Sequence, residues 1–210
     1  MIVINFKNYV FGAKALDLVR KIDIYLNKAV VAVSLIDLVE IVKNTTLPVY
    51  AQHVDSQEEG RATGFVVPEI VAASGAKGTL LNHSEHPLKI AEIKKTLDRC
   101  HDAGLKVILC ASNLAQAKKF VLLHPHAIAF EDPQLISTGK SITSHKTHAL
   151  KEFVEILNGK DVIPLCGAGI STAEDVKEAL ALGCKGILVS SAIAHSNDPE
   201  KFLKEVSRLF

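Results

Sequence analysis

His126–Gly139 reads HAIAFEDPQLISTG, and the reading of this stretch decides what the rest of the chain is built around. Ala127–Phe130 is short and apolar, the length of a buried strand. It ends on an acid, Glu131. Asp132 and Pro133 make a turn, and Ser137, Thr138 and Gly139 are small polar residues suited to a loop that closes. Burial raises the basicity of a carboxylate, and closure of a loop over it excludes water. Alone, the stretch reads first as a strand whose terminal acid lies in solvent. The ends of the other strands decide between the two.

The same unit recurs on both sides. Strands are expected at Ile2–Phe6, Ala29–Val33, Pro48–Gln52, Gly78–Asn82 and Leu105–Cys110, then after Ala127–Phe130 at Val162–Leu165 and Gly186–Val189. Helical periodicity fills the gaps. Gly12–Asn27 carries Leu16, Val19, Ile22 and Leu26 on one stripe. Leu35–Asn44 carries Leu38, Val39 and Val42, with Ser34 as its cap. Pro68–Ser74 is a short helix, and Pro87–Ala103 stops at Gly104. Ser112 caps Leu114–Leu123, Ser144–Asn158 stops at Gly159, and Ser171 with Glu174 forms a capping-box pattern for the helix to Leu182. Pro199–Leu209 is the last helix.

Eight strand–helix units follow one another without a Pro/Gly/Ser linker. The strands are short and Val/Ile/Leu-rich, as parallel strands buried on both faces are. The expectation is a (β/α)8 TIM barrel of the α/β class, one domain over residues 1–210, at the short end of the range for that fold. A doubly wound open sheet is the alternative, and the lack of GxGxxG after the first strand counts against its dinucleotide-binding form.

Composition narrows the function classes. The chain has 210 residues, 48% hydrophobic and 22% charged, with a net charge of +1 spread along it, which argues against nucleic acid as a partner. Cys100, Cys110, Cys166 and Cys184 lie in apolar runs without metal-ligand spacing and suit a reducing cytoplasm. Met1–Phe6 runs straight into a strand pattern, and no apolar run is long enough to span a membrane.

In a barrel the site lies at the carboxyl ends of the strands. Those positions hold Asn5 and Lys7, then His83 and Glu85, then Glu131, then Gly167, Ala168 and Gly169, and last Ser190 and Ser191. Each has a plainer reading as a solvated lysine, a capping histidine or a turn glycine. Their joint placement on one face is what those readings leave unexplained. In the CGAGI turn, Cys166–Ile170, two glycines let backbone amides face outward, and the helix expected from Ser171 adds its N-terminal field. Together they suggest an anion site, with Ser190–Ala192 beside it.

These motifs resemble the triosephosphate isomerase family over nearly the whole chain. The matching stretches are Asn5-Phe6-Lys7, Ala51-Gln52, Thr63-Gly64, Asn82-His83-Ser84-Glu85, Phe130-Glu131, Ser137-Thr138-Gly139 and Cys166-Gly167-Ala168-Gly169, and the short form is similar to the compact archaeal-type branch. The resemblance implies an isomerase of glycolysis and gluconeogenesis acting on dihydroxyacetone phosphate and glyceraldehyde 3-phosphate. It implies Glu131 as base, His83 as a neutral imidazole at a helix N-terminus, Lys7 as the clamp for phosphate and enediolate, and Asn5 as support for the oxyanion. Glu85 would pair with Lys7. Asn5, Phe6, Lys7, Ile136, Ser137, Gly167, Ala168, Gly169, Ser190 and Ser191 would bind substrate. No metal or organic cofactor is implied. The partners implied are the triose phosphate and further copies of the chain, a tetramer ahead of a dimer, with the loop carrying Thr63 at the interface. Three positions depart from the family pattern: Asp132 where Pro is usual, Ser137 in place of the lid glycine, and Ser190-Ser191 in the last loop.

His145 and His148 have the i,i+3 spacing of a metal pair on one helix, but no third ligand is evident, and His124 and His126 read as surface residues. A different phosphate-using barrel enzyme and a non-catalytic phosphate-binding barrel are the rival functions.

Overall fold

The expected strands form within a residue or two of their expected bounds in the computed structural model, which describes residues 1–136, 138 and 141–210. They are β1 (Ile2–Asn5), β2 (Val30–Val33), β3 (Val49–Ala51), β4 (Gly78–Leu81), β5 (Lys106–Ala111), β6 (Ala127–Glu131), β7 (Ile163–Gly167) and β8 (Gly186–Val189). Each pairs in parallel with the next, and Val3 of β1 lies opposite both Val30 of β2 and Leu188 of β8. The sheet therefore closes into a barrel, which excludes the open doubly wound alternative.

Alternation along each strand sorts the core into two layers. Val3, Ala32, Tyr50, Leu80, Ile108, Ala127, Ala129, Leu165 and Leu188 fill the interior. Ile4, Val31, Val33, Ile128 and Phe130 point outward against the helices. Phe130 stacks there on Phe153 with centroids 5.1 Å apart, a pairing worth roughly 0.5–1.5 kcal/mol beyond its burial. One step above the last apolar interior layer the same period places Asn5 after Val3, Glu131 after Ala129, and Gly167 after Leu165. The polar floor of the carboxyl end thus continues the register of the core.

The helices are α1 (Ala13–Tyr25), α2 (Leu35–Asn44), α3 (Pro68–Ala73), α4 (Ile90–Asp102), α5 (Leu114–Phe120), α6 (Ile142–His145), α7 (Thr147–Leu157), α8 (Ala173–Ala181), α9 (Ser191–Ala194) and α10 (Pro199–Val206). The last turns expected of α5 and α10 tighten into the 3-10 turns Val121–Leu123 and Ser207–Leu209. Several local expectations are corrected. Leu18 rather than Leu16 is buried on α1, and on α2 Ile41 is buried while Val39 is exposed. Ser34 makes no capping bond, Asn113 rather than Ser112 caps α5, and Thr172 with Asp175 forms the capping box of α8. The helix expected over Ser144–Asn158 is two, broken at Lys146 with φ −134°. His145 and His148 therefore lie on different helices, and among the described residues no group of three His, Cys, Asp or Glu side chains is placed to hold a metal. No helix of the described residues is long and apolar enough to cross a membrane.

Candidate active site

The first wall of the site is a turn held by amide side chains. The Asn5 Oδ1 accepts a hydrogen bond from the Lys7 amide at 3.0 Å, and Gln52 Nε2 donates to the same oxygen at 3.3 Å and to the Lys7 carbonyl at 2.9 Å. These contacts hold Lys7 at φ 47°, a left-handed conformation uncommon for a residue with a side chain. The Lys7 Nζ reaches Glu85 Oε1 at 2.5 Å, the expected pairing. Gln52 was named in a motif but not as a site residue. Its role shows in bonds that join the end of β3 to the turn after β1 and to the Ala32 carbonyl of β2.

The second wall follows β4. Asn82 is buried, donates to the Cys110 carbonyl at 2.9 Å and accepts from the Leu88 amide at 2.9 Å, so it pins both ends of the loop carrying His83. α4 begins only at Ile90, so His83 does not sit at a helix N-terminus as expected. Its imidazole is held below its ordinary value first by burial and then by the Lys7 charge, with Glu85 opposing. The Glu85 amide donates to His83 Nδ1 at 3.2 Å, which assigns the ring proton of the neutral imidazole to Nε2. Nε2 lies 3.4 Å from Glu131 Oε2.

Glu131 is 7% exposed, and its Oε2 has no hydrogen-bond partner among the described residues. The contact with His83 is thus a close approach without hydrogen-bond alignment. Burial pushes the carboxyl up from 4.5 to about 7, Lys7 opposes this, and Glu85 adds to it. A carboxylate titrating near neutral pH is poised as a general base. Gly167 explains how β7 packs so closely beside it. A Cβ there would lie 2.8 Å from Glu131 Oε1 and 2.7 Å from the Leu188 carbonyl, so a glycine is what the close approach requires.

Opposite lie Ile136, Ala168, Gly169, Ser190 and Ser191, in the same cleft as Asn5, Lys7, His83 and Glu131. Gly169 has φ 76°, and the Ser190 hydroxyl is buried without a partner among the described residues. The anion site expected from the CGAGI turn is corrected in part. β7 runs on to Gly167, and Asp175 Oδ2 accepts from the amides of Ser171 and Thr172, each at 2.9 Å. Burial pushes the Asp175 carboxyl up, but those hydrogen bonds prevail and hold it below its usual range. The N-terminus of α8 is therefore already filled by the chain's own carboxylate.

Phe6 and Gly167 do not line the cleft. Phe6 is fully buried in the outer layer, where strand alternation sends it, and Gly167 lies under the Glu131 carboxyl. Ser137 lies outside the described residues. Tyr9 lines the cleft although no motif named it. At the departure from the family pattern, Asp132 Oδ1 caps the 3-10 turn Pro133–Leu135 by accepting from the Gln134 amide at 2.9 Å, and Oδ2 pairs with Lys146 at 3.2 Å.

A buried carboxyl facing an imidazole and a lysine, with small-residue loops opposite, is the constellation of a barrel enzyme that moves protons on a small anionic substrate. Residues 1–207 match the family described as Triosephosphate isomerase. The triosephosphate isomerase of Saccharolobus solfataricus is 40% identical over 212 residues, covering 98% of this chain and 93% of that one. That of Methanocaldococcus jannaschii is 36% identical over 214 residues, covering 98% of each chain. That of Archaeoglobus fulgidus is 36% identical over 217 residues, covering 98% and 96%. The chain belongs to the triosephosphate isomerase family.

Proposed function

We propose that the protein interconverts dihydroxyacetone phosphate and D-glyceraldehyde 3-phosphate, with Glu131 moving the proton between the two carbons. The reaction is an aldose–ketose isomerisation through an enediolate. Glu131 takes the proton from the carbon beside the carbonyl and returns it to the neighbouring carbon. The His83 Nε2–H donates to the carbonyl oxygen and moves a proton between the two oxygens. Lys7 balances the charge that develops on the enediolate and that of the phosphate, and Asn5 supports the same oxyanion and fixes the turn that presents Lys7. Ile136, Ala168, Gly169, Ser190 and Ser191 form the phosphate side, and Ser137 would join them from the loop after β6.

The observation that carries this reading is the buried Oε2 of Glu131, without a hydrogen-bond partner among the described residues and lying 3.4 Å from His83 Nε2, on a carboxyl pushed up to about 7. Glu131→Gln keeps size and polarity but cannot accept a carbon-bound proton. A coupled isomerase assay should show kcat lower by at least about 10²–10⁴-fold, while calorimetry shows a phosphate-bearing substrate analogue still bound. Retained turnover would remove Glu131 as the base. Analogue binding by a wild-type protein that has no turnover would favour a non-catalytic phosphate-binding barrel.

The working form is a homo-oligomer, a tetramer ahead of a dimer. The loop His53–Phe65 supports this. It is closed at its base by the Asp55 amide on the Val66 carbonyl at 2.8 Å, and its tip at Gly60–Phe65 carries Thr63 and a Phe65 that is 47% exposed. A second opening beside the cleft, lined by Lys7, Gln52, His53 and Glu85, is a place for such a loop from a neighbouring copy. Four free, buried cysteines suit a reducing cytoplasm.

A further inference from the structure

Two loops meet at the seam where the barrel closes. One is the turn after β1, in which the Tyr9 amide donates to the Phe6 carbonyl at 3.2 Å with Lys7 between them. The other is α9 after β8, which starts at Ser191 and ends where the His195 amide donates to the Ser191 carbonyl at 3.2 Å. Below them the strands are joined by ladder pairing, with Ile4 opposite Val189. Above the ladder, the Tyr9 ring stacks on the His195 ring, with centroids 4.8 Å apart and planes 26° apart. Tyr9, Lys7, Ser190 and Ser191 all line the same cleft. The Tyr9 hydroxyl has no hydrogen-bond partner among the described residues, so the ring contact is what ties Tyr9 to α9.

We propose that Tyr9 is a positioning residue for the phosphate group. Its stack on His195 sets the spacing between Lys7 on one loop and Ser190 and Ser191 on the other, so that a single phosphate monoester dianion is gripped by both. The proposal rests on the function proposed above for its substrate, but its ligand chemistry is that of phosphate alone. Tyr9 is 36% exposed and His195 is exposed, so neither forms part of the core, and their contact is available to be broken without removing the barrel. The grip acts on the phosphate in ground state and transition state alike, so its loss should appear in KM and not in kcat.

The experiment is a double-mutant cycle on the full chain, read by isomerase kinetics and by calorimetry with inorganic phosphate. A stacked aromatic pair is worth enough that Tyr9→Ala should raise KM, and the Kd for inorganic phosphate, roughly three- to tenfold, with kcat changed less than about twofold. His195→Ala should do the same, and the double variant should be no worse than either single one, because the two act as a unit. Tyr9→Phe and His195→Phe keep a ring and should restore wild-type values. Unchanged phosphate affinity in Tyr9→Ala overturns the proposal. So do losses that multiply in the double variant, or a Tyr9→Phe as weak as Tyr9→Ala, which would put the hydroxyl in place of the stack. The phosphate titration also separates this inference from the function it rests on. The same pattern of Kd values in a protein without turnover would leave the clamp standing and remove the isomerase reading.

Discussion

Both ends of the barrel hold histidine beside lysine and a carboxylate. At the carboxyl end His83 is 7% exposed, facing Glu131, with Lys7 and Glu85 close by. At the amino end His101, His124 and His126 share a pocket with Lys106 and Asp161. The amino end also gathers titratable groups, yet His101, His124, Lys106 and Asp161 there are exposed, and the half-buried His126 is held below its ordinary value by burial and Lys106, with Asp161 opposing. At the carboxyl end burial moves Glu131 up and His83 down, so it favours the uncharged form of both the acid and the imidazole. Chemistry follows from desolvation and from aim across the barrel axis, and the number of ionisable residues does not predict it.

The contrast is tested most severely at Lys7. Lys7→Ala removes a preorganised charge and should lower kcat/KM by about 10²–10³-fold. Because Lys7 opposes the upward push on Glu131 and holds His83 down, the acid limb of the kcat/KM profile should also move to higher pH in the variant. His126→Gln, measured alongside, should leave kcat, KM and the profile unchanged. A kinetic effect from the amino end would break the comparison.

The next effect is on stability. Glu131 titrates near 4.5 unfolded and at about 7 folded, so between those values the folded chain keeps a proton that the unfolded chain has released. Stability therefore falls as pH rises from about 4.5 to about 7 and is level above. The shift corresponds to a cost of about 3 kcal/mol at pH 8. Urea unfolding of Glu131→Gln and wild type should show the variant the more stable at pH 8 by an amount of that order, with the difference closing toward pH 4.5. A difference independent of pH would mean that Glu131 is solvated.

The smallest effect belongs to Asp132. Its pair with Lys146 is at the rim, the lysine side chain 42% exposed, and rim pairs contribute about 0.2–1 kcal/mol. Asp132→Asn keeps the cap on Gln134 and loses the charge. It should change kcat less than about threefold, with a stability loss that disappears at about 1 M salt, where the Debye length is ~3 Å. A tenfold fall in kcat would show that the pair governs the loop after β6.

The barrel was legible because its strands are apolar runs buried on both sides, and Gly186–Val189 was read to the residue. Caps were misread by one position wherever two competent residues adjoin. Ser112 and Asn113, or Ser171 and Thr172, both carry the needed oxygen, and the backbone leaving the strand chooses between them. That Glu131, His83 and Lys7 meet in one cleft was legible because each lies at a strand end inside a specific motif. Gln52 and Tyr9 were not read as site residues, because their contacts join segments far apart in the chain. Phe6 was misassigned because a motif gives proximity in sequence, whereas alternation decides the face. The helix N-terminus expected at His83 failed for a related reason: a loop pinned by Asn82 intervenes before Ile90.

The pairing of β1 with β8 has a consequence for biosynthesis. Val3 meets Leu188, so β1, once made, waits for β8 to emerge before the ring can close. At ~5–20 residues per second that interval is roughly 10–40 s. Until then the edges of β1 and of the latest strand are open to other chains. Lys7 and Ser190 share a cleft only once residue 190 is out, so a nascent chain can hold Lys7, His83 and Glu131 yet has no complete pocket to use them in.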